Sequence, residues 1–391
     1  MIERFRAKAL ILGYAFSLVT LASGCMDDPS SVGLKLVPSG DLLQIDTLIA
    51  NASSSYSQKA APLSFAGFPT TFAVGRSENF ESWGLLSLTS LSDTLSKLVI
   101  QGADLHLRAA YHLGDSLASF SVNIHKALVS WNRASFVYDS LMAPGVFELS
   151  STAVPPSTFG DTDEVVLPLD TALVRGWFRA VTDTTLHNYG IVLEPTNSMV
   201  IKGFVSNVAG NDAAHLPFVS VRYTDSVTGL TDTLILNGVV DKFVAGMADT
   251  TALKDSSLLV VRGGSAYRGV VGFDVSSIPP HALIHRALFE IYADAATSRF
   301  ASNHHDSLYA LFPFTLNPVQ ISERIADSGQ TYFRFNVTEF VQSMARGSGV
   351  PQISVAAYEE ENGVDLFRIF GSAAANTSKR PHLTILYSRT R

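Results

Sequence analysis

What most constrains the fold of this 391-residue chain is that it repeats itself. "DTLIA" at Asp46–Ala50 returns as "DTLIL" at Asp232–Leu236, and "WGLLSL" at Trp83–Leu88 as "RGVVGF" at Arg268–Phe273. "ADLHLRA" at Ala103–Ala109 returns as "ALFEIYA" at Ala287–Ala293, and "VNIHKA" at Val122–Ala127 as "LYALFP" at Leu308–Pro313. The order is kept at an offset of roughly 185 residues. Two later pairs keep the order at a shorter offset: "LPLDTALVRGW" at Leu167–Trp177 with "FNVTEFVQSMA" at Phe335–Ala345, and "PFVSVRY" at Pro217–Tyr223 with "PHLTILY" at Pro381–Tyr387. The length missing from the second copy falls between Ala127 and Leu167, in a stretch rich in Pro, Ser and Asp that reads as an extended loop or extra hairpin of the first copy. The duplication predicts two tandem domains of one fold, residues 45–226 and 227–391.

Within each copy the apolar residues alternate. Ala103, Leu105 and Leu107 point one way, and Asp104, His106 and Arg108 the other; Leu383, Ile385 and Tyr387 repeat the pattern. Runs of this period, punctuated by Gly, Asp, Asn and Pro, indicate half-buried antiparallel sheets, and two such faces closed on each other make a β-sandwich. One short helix is expected per copy. In the first, Leu173, Val174, Trp177, Phe178 and Val181 share a face behind an Asp170 or Thr171 N-cap; in the second, Thr338 caps, Phe340, Val341 and Met344 face inward, and Gly347 ends the turn. The predicted fold class is all-β: two tandem jelly-roll-like antiparallel β-sandwiches, each with one short helix.

The N-terminus supplies an address. Arg4, Arg6 and Lys8 precede an apolar run from Ala9 to Leu21, and small residues Ala22, Ser23 and Gly24 lead into Cys25, the sole cysteine. This has the layout of a secretory signal, and the run is short for a membrane span. "LASGC" resembles a bacterial lipobox, which implies signal cleavage after residue 24 and acylation of Cys25. Residues 25–44 then read as a tether, and their acidic stretch, Gly-x-x-Leu element and "DTL" resemble the start of a family of Bacteroidota surface lipoproteins of unknown function. The expected location is the bacterial envelope, lipid-anchored at the outer membrane or cell surface. A lone cysteine also excludes intramolecular disulfides and zinc sites built on several thiolates.

The second copy resembles a further family. "YRGVVGFDVSSIPPHALIHRALFEIYA" is similar to the opening of the DNRLRE domain, "FNVTEFV" to its later Asp-Val-Thr-x-x-Val element, "SWNR" at Ser130–Arg133 to its mid-domain tryptophan signature, and "RPHLTILY" to its closing strand. The first copy has Ser87–Leu88 in place of the Phe-Asp pair, and the second lacks the tryptophan. The resemblance implies a jelly-roll-like sandwich in an extracellular setting and, in some members, polysaccharide binding.

Chemistry-bearing motifs are sparse. There is no Gly-x-Ser-x-Gly elbow and no phosphate-binding loop; "VRGGSAYRG" at Val261–Gly269 reads as a hairpin turn. The net charge of −7, with no basic cluster beyond the N-terminus, gives no footprint for nucleic acid. "ASNHHDS" at Ala301–Ser307 is the densest polar cluster. On a strand only His304 and Asp306 of its His-His-Asp run would converge, as two ligands of a divalent metal; as a loop the stretch is simply solvated. "NDAAH" and Asp161–Glu164 offer oxygen ligands for a structural calcium but no recognised loop pattern, and no other cofactor is indicated. "YEEEN" at Tyr358–Asn362 reads as a solvated hairpin tip. Trp131 and Trp83 are the candidate sugar platforms, each with a core or loop-anchoring reading beside it, and Trp177 reads as core. The expected function is a non-catalytic surface-binding or adhesion protein for a polysaccharide or matrix component. An envelope assembly protein with a protein partner is the alternative, and a polysaccharide hydrolase or lyase ranks third.

Overall fold

The alternating segments become two antiparallel strand networks, of eleven strands each, in the computed structural model. It describes residues 45–389 apart from 61–68, 90, 93–97, 198, 209, 227, 248, 313–318, 328–329, 348–349, 359 and 362. The expected signal segment, Cys25 and the expected tether lie outside the described residues. In chain order the strands are β1 (Ile45–Lys59), β2 (Thr71–Ser77), β3 (Phe80–Leu88), β4 (Leu98–Gly114), β5 (Val122–Ala127), β6 (Phe147–Ala153), β7 (Glu164–Leu169), β8 (Ile191–Pro195), β9 (Met199–Val205), β10 (Phe218–Asp225) and β11 (Thr231–Leu236). They continue with β12 (Val239–Met247), β13 (Leu258–Arg262), β14 (Tyr267–Phe273), β15 (Leu283–Tyr292), β16 (Leu308–Leu311), β17 (Val319–Ile321), β18 (Glu323–Asp327), β19 (Gln330–Asn336), β20 (Gln352–Ala357), β21 (Leu366–Phe370) and β22 (His382–Ser388). Three short α-helices lie among the described residues: α1 (Tyr138–Leu141), α2 (Thr171–Arg179) and α3 (Thr338–Ala345). No helix among the described residues is long and apolar enough to cross a membrane.

The first network runs β11-β10-β4-β9-β2-β3-β8-β5-β6, with β12 added to β3 and β7 to β4; the second runs β17-β16-β20-β14-β1-β22-β15-β19-β18, with β13 and β21 added beside β14. Each curls over its own apolar core, giving an all-β, sandwich-like fold. In the first core Phe72, Phe120, Phe204 and Leu107 interlock beneath α2. In the second, Phe289 lies edge-on to Phe273 at 5.6 Å and stacked on Phe335 at 5.5 Å. The expected alternation holds on β4, where Ala103, Leu105 and Leu107 are buried. Asp170 caps α2 by accepting the Ala172 N–H at 2.8 Å. Thr338 does not cap α3: it is the first helical residue, and its hydroxyl donates to Asn336 and accepts the Ala287 N–H. Gly347 has a φ of 80°, as a terminating glycine should.

The paired landmarks occupy equivalent strands, with one exchange. "DTLIL" opens the second copy, yet β11 pairs with β10, and β12 runs along β3 from Val239↔Leu88 to Met247↔Phe80. "DTLIA" opens the first copy, yet β1 lies between β14 and β22 of the second network, paired with β14 from Ala52↔Phe273 to Lys59↔Tyr267 with a register shift between Ala52 and Ser54. Each half is therefore completed by the strand that opens the other, and pairing crosses the expected boundary at residue 226. From Thr47 onward the described chain is one compact unit. Serines at alternate positions of β1 fix the exchanged strand. Ser55 Oγ donates to Ser256 O and accepts the Ser372 N–H, and Ser57 Oγ accepts the Val260 N–H at 2.8 Å.

The seam between the halves is packed as well as threaded. Val260, Tyr267, Ala301, Val364 and Leu366, all from the second copy, belong to the first half's core. The Arg262 guanidinium, buried, stacks 3.6 Å from the Phe80 ring centroid. Burial pushes that guanidinium down to about 9, so it remains charged at neutral pH. The loop expected to be solvated, Ala301–Ser307, docks here: Ser302 Oγ donates to Asp161 at 2.6 Å, and the Ser302 N–H donates to His112 O at 2.8 Å.

Candidate functional site

A cavity of about 630 Å³ opens along this seam. One wall is the loop leading from Trp131 into α1. Its conformation is dictated locally by Asn132, whose side-chain Oδ1 accepts the Ser135 N–H at 2.8 Å. It is fastened by the Trp131 indole N–H, which donates to Tyr189 O at 2.8 Å, and by Arg133, which donates to Asp241 O at 2.7 Å and Asn207 O at 3.0 Å. These bonds present Phe136, Tyr138 and Asp139 to the cavity. The exchanged strand β12 forms the second wall with Asp241, Lys242 and Phe243. Tyr138 lies directly on β12 because residue 246 is glycine; a Cβ there would sit 2.5 Å from the tyrosine ring. The Tyr138 hydroxyl donates to Glu81, and burial together with that carboxylate raises its pKa.

The second half closes the cavity with two turns. The β13–β14 hairpin is the turn expected from "VRGGSAYRG"; Gly264 takes a φ of 74° there, and a Cβ would press on the Phe243 ring at 3.0 Å. Its neighbour Ser265 is only 6% exposed, and Ser265 Oγ has no hydrogen-bond partner among the described residues. The second turn is "YEEEN", and it is no solvated tip at Glu360. That residue is 2% exposed, and its carboxylate is gripped by Arg268 at 3.0 and 2.7 Å. Glu361, half-buried beside it, has its pKa raised by burial, an effect Lys242 opposes and Glu360 reinforces. Burial lowers the pKa of Lys242, whose ammonium donates to Arg133 O. Asp241 is buried with its carboxylate accepting from Ser206 Oγ and from the Asn207 N–H at 2.6 Å; burial raises its pKa. The rim carries Lys59, at the end of β1, paired with Asp139 at 2.9 Å.

The residues singled out in the sequence are not brought together here. Trp83, on β3 opposite Val244 of β12, is 5% exposed and packs on Phe147 at 5.7 Å between ring centroids. Trp131 is half-buried and anchors the loop behind the cavity. His304 and Asp306 do converge, with Nε2 3.3 Å from Oδ1, but Arg324 takes the other carboxylate oxygen at 3.2 Å and His304 stacks on Phe300. No group of three or more metal-capable side chains occurs among the described residues. Asp161, weighed as a calcium ligand, is instead held by His112 at 2.8 Å and by Ser302. Burial would raise its pKa, but these hydrogen bonds outweigh it and lower the pKa below the usual range. A second groove, of about 500 Å³, lies over β5 and β6 against α2. Trp177 is buried in its lining, and the exposed His187 ring stacks on Tyr189 at 5.2 Å.

The fold and the cavity together describe an all-β protein with a cleft shared by two strand-exchanged halves. No protein family and no curated protein matches this chain. Solved structures similar to it include the Macrobrachium rosenbergii nodavirus, at 11% identity and a TM-score of 0.15 over 90% of this chain and 92% of that one. They also include infectious bursal disease virus strain Gx, at 9% identity and a TM-score of 0.13 over 90% of this chain and 78% of that one. Scores at this level carry no statement about fold or function.

Proposed function

We propose that this chain is a non-catalytic binding protein, held at a bacterial cell surface by acylation of Cys25, that takes a polysaccharide or matrix component in the seam cleft. The observation that carries the reading is the cleft itself. Both halves build it, half-buried Phe136 and Tyr138 give it aromatic surface, and Ser265 leaves a hydroxyl there without a partner. The lipobox-like "LASGC" and the resemblance to DNRLRE domains support the extracellular setting. Against hydrolysis, the Ser265 hydroxyl bonds no base that would activate it, and the Asp241 and Glu360 carboxylates are committed to Ser206, Asn207 and Arg268.

One observation favours a protein partner instead: β6 is an edge strand on which Leu149 is 93% exposed. Passing the full chain, in detergent micelles, over immobilised polysaccharides separates the readings. Retention by at least one polysaccharide, lost in Phe136→Ala, is expected. No retention by any of them, together with recovery of a defined envelope protein that Leu149→Lys releases, would establish the assembly role.

A further inference from the structure

The cleft's charges narrow the class of ligand, given the binding function proposed above. Its acids and bases form couples. Lys59 meets Asp139 at 2.9 Å on the rim, Arg133 meets Asp241 at 3.4 Å, and Arg268 meets Glu360 at 2.7 Å just behind the lining. Lys242 and Glu361 form no ion pair: the Lys242 ammonium donates to Arg133 O, and Glu361 feels its charge only at longer range. Lys59, Arg133 and Arg268 thus each have an anionic counterpart in contact, and the Lys242 ammonium is occupied by the Arg133 carbonyl. An incoming carboxylate, sulfate or ammonium would have to break one of these couples or enter a partly desolvated site without a counter-charge, and either is unfavourable. What the lining leaves open is uncharged: the half-buried rings of Phe136 and Tyr138, with the orphan Ser265 hydroxyl buried just beneath the wall.

Ser265 is held where it is by backbone that resists relaxation. Its neighbours Gly264 and Ala266 both have positive φ, 74° and 52°, and the latter is unusual for alanine. Gly264 N–H donates to Glu360 O at 2.7 Å, and Glu360 is in turn locked by Arg268. A buried hydroxyl with no partner costs free energy in the empty protein, and a ligand hydroxyl that meets it recovers that loss. We infer that the seam cleft selects a neutral, hydroxyl-rich ligand, an uncharged glycan, with its C–H faces on Phe136 and Tyr138 and one of its hydroxyls bonded to Ser265.

The test is a calorimetric titration of the full chain in detergent micelles. The probes are neutral β-glucan, mannan and xylan oligosaccharides beside polygalacturonate and chitosan oligomers of matched length. Binding of at least one neutral probe is expected, insensitive to salt, with the charged probes at least about tenfold weaker. Ser265→Ala should weaken the neutral probe about 5- to 20-fold, the effect of one lost hydrogen bond, while leaving the melting temperature unchanged or raised, because no protein group loses a partner and the orphan hydroxyl is gone. Preference for a charged probe, unchanged affinity in Ser265→Ala, or a fall in melting temperature in that variant overturns the assignment and leaves the binding function standing. Absence of binding by every probe overturns both.

Discussion

Ser57→Ala probes the exchanged strand with the smallest possible change. Ser57 lies on β1, which the chain reaches before any other described strand, yet its Oγ accepts the N–H of Val260, a fully buried residue on β13 in the second half. Removing the hydroxyl leaves that N–H buried and unpaired, which costs about 1–3 kcal/mol. The melting midpoint should fall by about 2–12 °C at the 2–4 °C per kcal/mol typical of larger domains. Ser53→Ala is the control: Ser53 is exposed, its bond to Gly272 O is 3.2 Å, and a change within about 0.5 kcal/mol is expected. The assay uses an asymmetry of composition. All three tryptophans, Trp83, Trp131 and Trp177, lie in the first half, whereas far-ultraviolet circular dichroism reports both. If each half holds the other's opening strand, loosening β1 lowers both transitions together. A Ser57→Ala variant whose dichroism shifts while its tryptophan transition stays at the wild-type midpoint would refute the coupling.

Other predictions follow from the buried charges and the anchor. Burial pushes the Asp365 carboxyl up from 3.8 to about 6, even though it accepts the Ala301 N–H at 2.7 Å. Because the folded value is the higher one, the neutral acid is the favoured form: stability is greatest below about pH 4 for this group and declines by up to about 3 kcal/mol as pH rises through about 6. Asp365→Asn should flatten that part of the pH–stability profile, checked by urea midpoints between pH 4 and 7; a steeper profile would contradict the assignment. Glu360→Gln strands the Arg268 charge in a buried site and should destabilise by about 3–5 kcal/mol, whereas Glu360→Gln with Arg268→Met should recover part of that loss in a denaturation cycle. Cys25→Ser should move the protein from the membrane fraction to the soluble fraction on cell fractionation, and unchanged partitioning would count against acylation.

Much of this architecture was legible in the sequence because the duplication repeats core positions. Leu105 and Leu107 of one copy and Phe289 and Ile291 of the other are buried on equivalent strands, and the helix after "LPLD" recurs after "FNV". The exchange was not legible. "DTLIA" and "DTLIL" have the same alternation, so either satisfies the pairing surface of either half, and what selects between them is chain geometry. The cleft was hidden for a related reason. Three consecutive glutamates read as solvated until Arg268, far upstream in the chain, is brought against Glu360, and a turn such as "GGSA" shows no sign of the wall it will face. Trp83 and Trp131 read in the sequence as candidate rings for a sugar, but Trp83 is buried against Phe147 on a strand flanked by β12, and the Tyr189 carbonyl holds the Trp131 indole.

Whether the ligand sits in the seam cleft is decided by the affinity of the full chain for the neutral oligosaccharide that retains it, measured on wild type and on Phe136→Ala. Loss of one stacked aromatic face should weaken binding by about 1–2 kcal/mol, or roughly 5- to 30-fold; because Phe136 also packs on the core around Trp83 and Val244, the melting temperature falls as well, and affinity is compared at a temperature where the variant is fully folded. Equal affinity in the two proteins would place the ligand elsewhere and contradict the account.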